Sequence, residues 1–350
     1  MAQIAAVARV HTTTVSLALR NHPSLPASTR ERIQALAQEM GYAPDPALRA
    51  LVAHRRDVSG LGAGHTLAYL TNWPTRWGWK TALSHLQFYT GAEACAKRLG
   101  FNLEHFWQGE EHLKDQRLSE ILQARGIQGL IIASQQHELD LPIAFDWSRF
   151  SAIKIDYFPH EPRIDIVTND QRNIVRTAFL QLRRRGYKRI ALVLRRVWDD
   201  CSDHAWSSGF LGEQQFVPAH ERIPIHFIEA SDSDDAPPQL PSELRDLLQK
   251  HRPDALLAYG PTVLPALRQL GLSVPRDIAF ADICLYQANP EIAGMLQHCH
   301  KVGERAVELL AGKIDLNARG IPDIHSITQV DGSWCDGASL PYAHGTVMVR

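Results

Sequence analysis

The chain of 350 residues is 45% hydrophobic and 21% charged, with a formal net charge of −1. That length accommodates sizeable cores, and the lack of any run of about eighteen apolar residues or of an amino-terminal signal peptide argues against membrane insertion and predicts a cytoplasmic protein. The five cysteines, Cys95, Cys201, Cys284, Cys299 and Cys335, are odd in number and show no C-x-x-C spacing, which argues against a disulfide framework and predicts free thiols.

The first 56 residues read as three short helices followed by a basic tail. Ile4, Val7 and Ala8 fall at i, i+3, i+4, and Val15, Ala18 and Leu19 repeat that spacing. Ile33, Leu36, Ala37 and Met40 extend it to i+7. Each stripe predicts one inward apolar face. The middle helix carries an outer face of His11, Thr12, Thr13, Thr14, Ser16 and Arg20, hydrogen-bonding groups that can reach base edges or phosphates. Two short helices joined by a tight turn, the second with such a face, predict a helix-turn-helix built to enter a major groove. Charge agrees: in residues 1–56 seven arginines (9, 20, 30, 32, 49, 55 and 56) stand against Glu31, Glu39 and Asp45, giving +4 here and −5 on the remainder. A basic module on an acidic body is the footprint expected of a duplex-binding protein. On these features alone, a small helical bundle with a solvated basic face is the alternative.

Specific motifs separate the two. Val10-His11-Thr12-Thr13-Thr14-Val15-Ser16-Leu17-Ala18-Leu19, then Thr29-Arg30-Glu31-Arg32-Ile33, then Gly41-Tyr42-Ala43-Pro44-Asp45-Pro46 resembles, without a gap, the headpiece of the lactose/galactose repressor (LacI/GalR) family. The resemblance implies that Thr12, Thr13 and Leu17 read bases, while His11, Thr14, Ser16 and Arg20 contact phosphates or cap the helix. Leu17 departs from the family's arginine, so guanine recognition by a forked guanidinium gives way to apolar contact suited to a thymine methyl. Arg9 replaces a turn glycine and His11 a capping serine, and the chain opens inside the first helix. Residues 44–64 resemble the family's hinge helix and a linker. There Leu51 aligns with the leucine that wedges between base pairs and kinks the duplex. Residues 1–43 are thus expected to form the DNA-binding headpiece.

From residue 65 to 340 strands and helices alternate. Strands are expected at 65–72, 101–107, 129–134, 151–157, 189–195, 224–228, 255–259 and 278–283. Helices are expected at 82–99, 113–125, 170–185, 205–216, 242–251, 262–270 and 299–312. This series predicts an α/β body with parallel sheets, long enough for two lobes. Gly186-Tyr187-Lys188-Arg189-Ile190-Ala191, Pro253-Asp254-Ala255 and Gly271 to Ile278 resemble phrases of the same family, as does Gln297 to Leu310. The resemblance implies a periplasmic-binding-protein-like body, each lobe taking strands from both halves of the chain, with ligand held between the lobes.

The expected effector site departs from the family. Asp170 fits its acidic residue at a helix start near the cleft, but Trp206, Gly260-Pro261 and Cys284-Leu285 replace polar sugar contacts. Trp73, Trp77, Trp206, Tyr259 and Tyr286, with Trp79 and Trp198, instead bring aromatic faces to strand-end loops, suited to a sugar-like ligand or an aromatic glycoside. Packing between the lobes would use them equally well. His298-Cys299-His300 is too close-set to chelate a metal, and no phosphate-binding or nucleophile motif is present. The reading is a non-enzymatic, homodimeric regulator of double-stranded operator DNA, expected to be a repressor, with no cofactor and no metal. Its affinity would be set by a small effector; a ligand-independent regulator with a vestigial pocket is the alternative.

Overall fold

The computed structural model describes residues 1–19, 24–40, 42, 65–110, 115–133, 135, 143–229 and 239–343. Arg20, Leu51 and the expected hinge at 44–64 lie outside the described residues.

The amino-terminal unit consists of α1 (Ala2–Ala8), α2 (Thr12–Leu19) and α3 (Ala27–Glu39). Ile4, Ala5, Ala8, Val15, Ala18, Ile33 and Ala37 form its core, with Val10, Leu19, Leu25, Leu36 and Tyr42 packed against it. Two stripe positions differ from expectation. Val7 is 59% exposed, because Ala5 closes the inward arc with Ile4 and Ala8, and Val7 stands about 100° from the centre of that arc. Met40 is also exposed, because the helix ends at Glu39 and the i+7 position is no longer helical. Helix α3 ties the other two together: Arg32 donates to the Ala8 carbonyl at 3.4 Å and Gln34 to the Ala18 carbonyl at 2.8 Å. Both carbonyls belong to helix ends that lack an intrahelical partner.

Arg9 closes α1 in the left-handed region, φ 54° and ψ 45°. A side chain there costs about 1 kcal/mol relative to glycine. Arg9→Gly is therefore expected to slow amide hydrogen exchange across α1 and α2 in the full-length chain by about fivefold. Faster exchange would show that the turn carries no such cost.

The body holds two six-stranded sheets. In the first, β1 (Thr66–Thr71), β2 (Asn102–Trp107), β3 (Gly129–Ile132), β4 (Ser151–Ile155), β5 (Ile166–Asn169) and β11 (Ile327–Val330) lie in the order β11-β5-β4-β3-β1-β2, all parallel. In the second, β6 (Ile190–Arg195), β7 (His226–Ile228), β8 (Ala255–Ala258), β9 (Ala279–Leu285), β10 (Gly294–Leu296) and β12 (Ser333–Cys335) lie in the order β12-β10-β9-β8-β6-β7, only β12 running antiparallel. Strands such as β3, β4, β6, β8 and β9 are buried along their whole length, as parallel strands covered on both faces must be. The expected strands all form, within a few residues. Strands β5, β10, β11 and β12 are additions, each lying next to a crossing between the lobes or paired to a strand that does.

Helices α4 (Leu83–Arg98) and α5 (Asp115–Ala124) belong to the first lobe. The second lobe has α6 (Gln171–Arg184), α7 (Arg196–Cys201), α8 (Ala205–Gln214), α9 (Leu240–His251) and α10 (Gly260–Gln269). Helix α11 (Cys299–Asp315) then returns to the first lobe and packs along α4. The chain crosses between lobes after β5, after β10 and after β11, so each lobe does take strands from both halves. Hydrogen bonds join the crossings. The Asn169 side-chain amide donates to the Gln297 carbonyl, the Asp170 N–H to the Val330 carbonyl at 2.9 Å, and His298 meets the Ser333 hydroxyl at 2.8 Å.

Candidate functional site

Two places concentrate polar chemistry: the outer face of α2 and the space between the lobes. On α2, Val15 and Ala18 enter the core, so a helical turn leaves His11, Thr12 and Thr13 exposed and Thr14, Ser16 and Leu17 half-buried. His11 starts the helix. Its carbonyl accepts from Thr14 N–H at 2.9 Å, and its Nδ1 accepts from Thr13 N–H at 3.2 Å and stands 2.8 Å from Thr13 Oγ1. His11 thus performs the capping expected of the serine it replaces, and Nδ1 as acceptor assigns the neutral ring's proton to Nε2. The Thr13 hydroxyl donates to that same Nδ1, which leaves its oxygen as an outward acceptor.

Between the lobes lies a cavity of about 210 Å³. The first lobe contributes His85 and Phe88 from α4 and Asp156, Tyr157 and Phe158 from the loop after β4. The crossings contribute Asn169, Gln171, Gln297 and Cys299; the second lobe contributes Trp198, Ser202, Trp206, Cys284 and Tyr286. Asp156 sits at φ 64°, with its N–H donating to the Val167 carbonyl at 3.0 Å and its Oδ1 accepting from the Thr168 hydroxyl at 2.6 Å. Burial pushes its carboxyl up to about 6. The loop it opens is pinned from below by Lys154, whose buried ammonium donates to the carbonyls of Tyr157, Pro159 and His160 at 3.3, 2.6 and 3.3 Å.

Burial lowers His85 to about 4, so its imidazole is neutral at physiological pH. Its Nδ1 is buried without a hydrogen-bond partner among the described residues, and so is Gln171 Oε1. Asn169 accepts from the Cys299 thiol at 3.6 Å, Gln297 donates to the Ile283 carbonyl at 2.7 Å, and Cys284 donates to the Tyr286 hydroxyl at 3.3 Å.

The structure brings only part of the expected effector set together. Trp206 and Tyr286 line the cavity. Tyr259 packs against Trp198, ring centres 4.9 Å apart and tilted by 55°, and lines a neighbouring cavity of about 470 Å³. Asp170 is the amino-terminal cap of α6, accepting from Asn173 N–H at 2.9 Å, and its neighbours Asn169 and Gln171 line the cavity in its place. Trp73 meets His85 edge-on at 5.5 Å, one layer behind the wall. Trp77 is half exposed at the tip of the first lobe, against His105 at 4.7 Å and under the Lys80 ammonium at 4.1 Å. Gly260 is explained by Asp282, whose buried carboxylate accepts from Gly260 N–H at 2.9 Å and Cys284 N–H at 2.7 Å. A Cβ at residue 260 would lie 2.6 Å from Asp282 Oδ2. Sequence reasoning missed all four of His85, Asp156, Gln171 and Gln297 as cavity residues: Gln297 opens a family-like phrase and Gln171 follows Asp170, but nothing local marks any of them as facing a ligand.

Comparison with known proteins decides the family. Residues 1–45 match the model for bacterial regulatory proteins of the lacI family, and residues 179–340 match that for a periplasmic binding protein-like domain. The chain carries a DNA-binding domain of the lacI family of bacterial regulatory proteins ahead of a periplasmic binding protein-like domain. It is a DNA-binding transcriptional regulator. Over 239 residues, 65% of this chain and 69% of the relative, the regulator is 25% identical to the HTH-type transcriptional regulator KdgR of Bacillus subtilis. The CelR transcriptional regulator in complex with cellobiose shares the fold at TM-score 0.59 and 18% identity, covering 96% of this chain and 98% of that one. The lac repressor dimer bound to operator and the anti-inducer ONPF does so at TM-score 0.57 and 17% identity, covering 97% and 98%. Among the described residues of this regulator, no helix is long and apolar enough to cross a membrane.

Proposed function

We propose that the regulator acts as a dimeric repressor that places the α2 face of each protomer in a major groove of a two-fold operator and releases it when a small effector settles between the lobes. Thr12, Thr13 and Leu17 are the base-reading residues in this reading. His11, Thr14, Ser16 and Arg20 position the helix on phosphates, and Leu51 kinks the duplex. The exposed, capped start of α2 carries the DNA half of the proposal. Because Thr13 presents an acceptor oxygen, its preferred partner is an amino group at a base edge, on adenine or cytosine. Mapping bound sites across a genome and footprinting the strongest tests this. Thr13→Ala should relax the preference at one base position per half-site, and an unchanged preference at every position would remove Thr13 from the readout.

The effector half rests on the cavity, and specifically on the orphaned His85 Nδ1 and Gln171 Oε1. Each buried polar atom left unsatisfied costs about 1–3 kcal/mol, a cost that a hydroxylated ligand removes. That observation favours an effector over the ligand-independent alternative. The solved relatives hold cellobiose in one case and an anti-inducer in another, in keeping with a sugar-like ligand or an aromatic glycoside. Trp206→Ala is expected to leave operator binding within about twofold of the parent while abolishing its response to effector. A response that survives Trp206→Ala would move the ligand elsewhere. The reading is that of a binding protein and not an enzyme; recovery of any candidate ligand chemically unchanged after prolonged incubation is the expected result.

A further inference from the structure

We propose that the ligand of the interlobe cavity carries a cationic amine, received by the Asp156 carboxylate and enclosed by aromatic walls from both lobes. The proposal rests on reading this cavity as the effector site.

The charge inventory is one-sided. Among the described residues lining the cavity there is a carboxylate, Asp156, and no lysine or arginine. The surroundings reinforce that sign. The Tyr157 phenol, on the same wall, is raised above its ordinary value first by burial and then by the charges of Asp156, Asp203 and Asp170. The Cys299 thiol on the opposite wall is raised mainly by burial, with Asp156 contributing. His85 adds no positive charge at neutral pH, because burial holds it neutral.

Among the described residues, Lys154 and Arg195 stand near these walls, and both face other partners. Lys154 directs its ammonium to the three carbonyls beneath the 157–160 loop. Arg195 lies 5.9 Å from the centre of the Trp198 ring, lines a separate small cavity behind it and donates to Thr262 Oγ1 at 3.2 Å. An anionic ligand would therefore enter a site with a like charge and no counter-charge on its lining, whereas a cation gains a carboxylate and several ring faces.

Backbone geometry points the same way. Asp156 adopts φ 64°, a conformation that non-glycine residues rarely hold, and strain of this kind concentrates at ligand sites. Asparagine tolerates the same conformation, so Asp156→Asn removes the charge while keeping the turn. Phe88 of the first lobe and Trp198, Trp206 and Tyr286 of the second present the aromatic surface. An amine on a hydroxylated or flat scaffold would meet Asp156 while its hydroxyls satisfy His85 Nδ1 and Gln171 Oε1.

The test uses full-length protein and matched triplets differing in one group, read by calorimetry and thermal shift. Suitable triplets are glucosamine, glucose and glucuronate; galactosamine, galactose and galacturonate; and tyramine, 4-hydroxyphenethyl alcohol and 4-hydroxyphenylacetate. The amine of at least one triplet should bind about tenfold or more tighter than its neutral counterpart, and no carboxylate should bind. Asp156→Asn should reduce that preference to within about twofold while its melting temperature stays at or above that of the parent. Equal or tighter binding of a neutral or anionic member, or silence of all three amines, overturns the proposal. If a neutral or anionic member binds and Trp206→Ala abolishes it, the cleft reading survives and the charge proposal fails. If a ligand binds and neither Trp206→Ala nor Asp156→Asn affects it, the cleft reading itself fails.

Discussion

Raising monovalent salt from about 50 to 200 mM is expected to weaken operator binding by about a thousandfold or more. A dimer of this size making about six to ten phosphate contacts releases that many condensed counterions, and the loss follows from their re-binding. The charge distribution is built for it, with +4 in residues 1–56 against −5 in the rest, so attraction to DNA is localised to the helix-turn-helix and the segment after it. The body contributes repulsion, which steers the headpiece toward the duplex first. Within this frame Arg20→Ala should weaken binding to all sequences alike and reduce the logarithmic salt slope by about 1, while Thr13→Ala should leave the slope unchanged. Fluorescence anisotropy against operator and random duplexes over a salt series measures both. A flat salt response of the intact protein would sink the major-groove docking of α2.

The second large effect is on the body's stability and involves no functional side chain. Helices α4 and α11 cross so closely that a Cβ at Gly91 would overlap the His300 carbonyl, and one at Gly303 the Phe88 carbonyl. Glycine inside a helix costs about 1 kcal/mol relative to alanine, so both positions carry that cost to let two backbones touch. Gly91→Val should force the helices apart and lose about 3 kcal/mol or more, because α11 is the element that joins the first lobe to the second crossing. Gly312→Ala in the same helix meets no atom within 4 Å and should instead stabilise by a few tenths to about 1 kcal/mol. Urea denaturation of the full chain reads both midpoints. A parent-like midpoint for Gly91→Val would mean that the crossing tolerates separation.

Sequence alone determined the elements whose signals are local. The α2 stripe of Val15 and Ala18, the polar run from His11 to Ser16 and the alternation of strands and helices from residue 65 onward all follow from neighbouring residues and periodicity, and the structure contains them. Arg9 stands where the resembled family has a turn glycine, and only the structure shows that the position takes φ 54°. Tertiary structure decided whatever depended on residues far apart in the chain. Whether Val7 or Ala5 faced the core depended on which arc of α1 met the other two helices. Strands β5, β11 and β12 are held by hydrogen bonds to strands far away in the chain, at the places where it passes between the lobes. The same holds at the cavity. Asp170, conspicuous in sequence, caps a helix, while Asp156, expected as the body of a strand, turned out at its end into the space between the lobes. His85, Asp156, Gln171 and Gln297 share no local motif, because a cleft is assembled from the ends of separate elements and its chemistry is specified only by how three chain crossings bring those ends together.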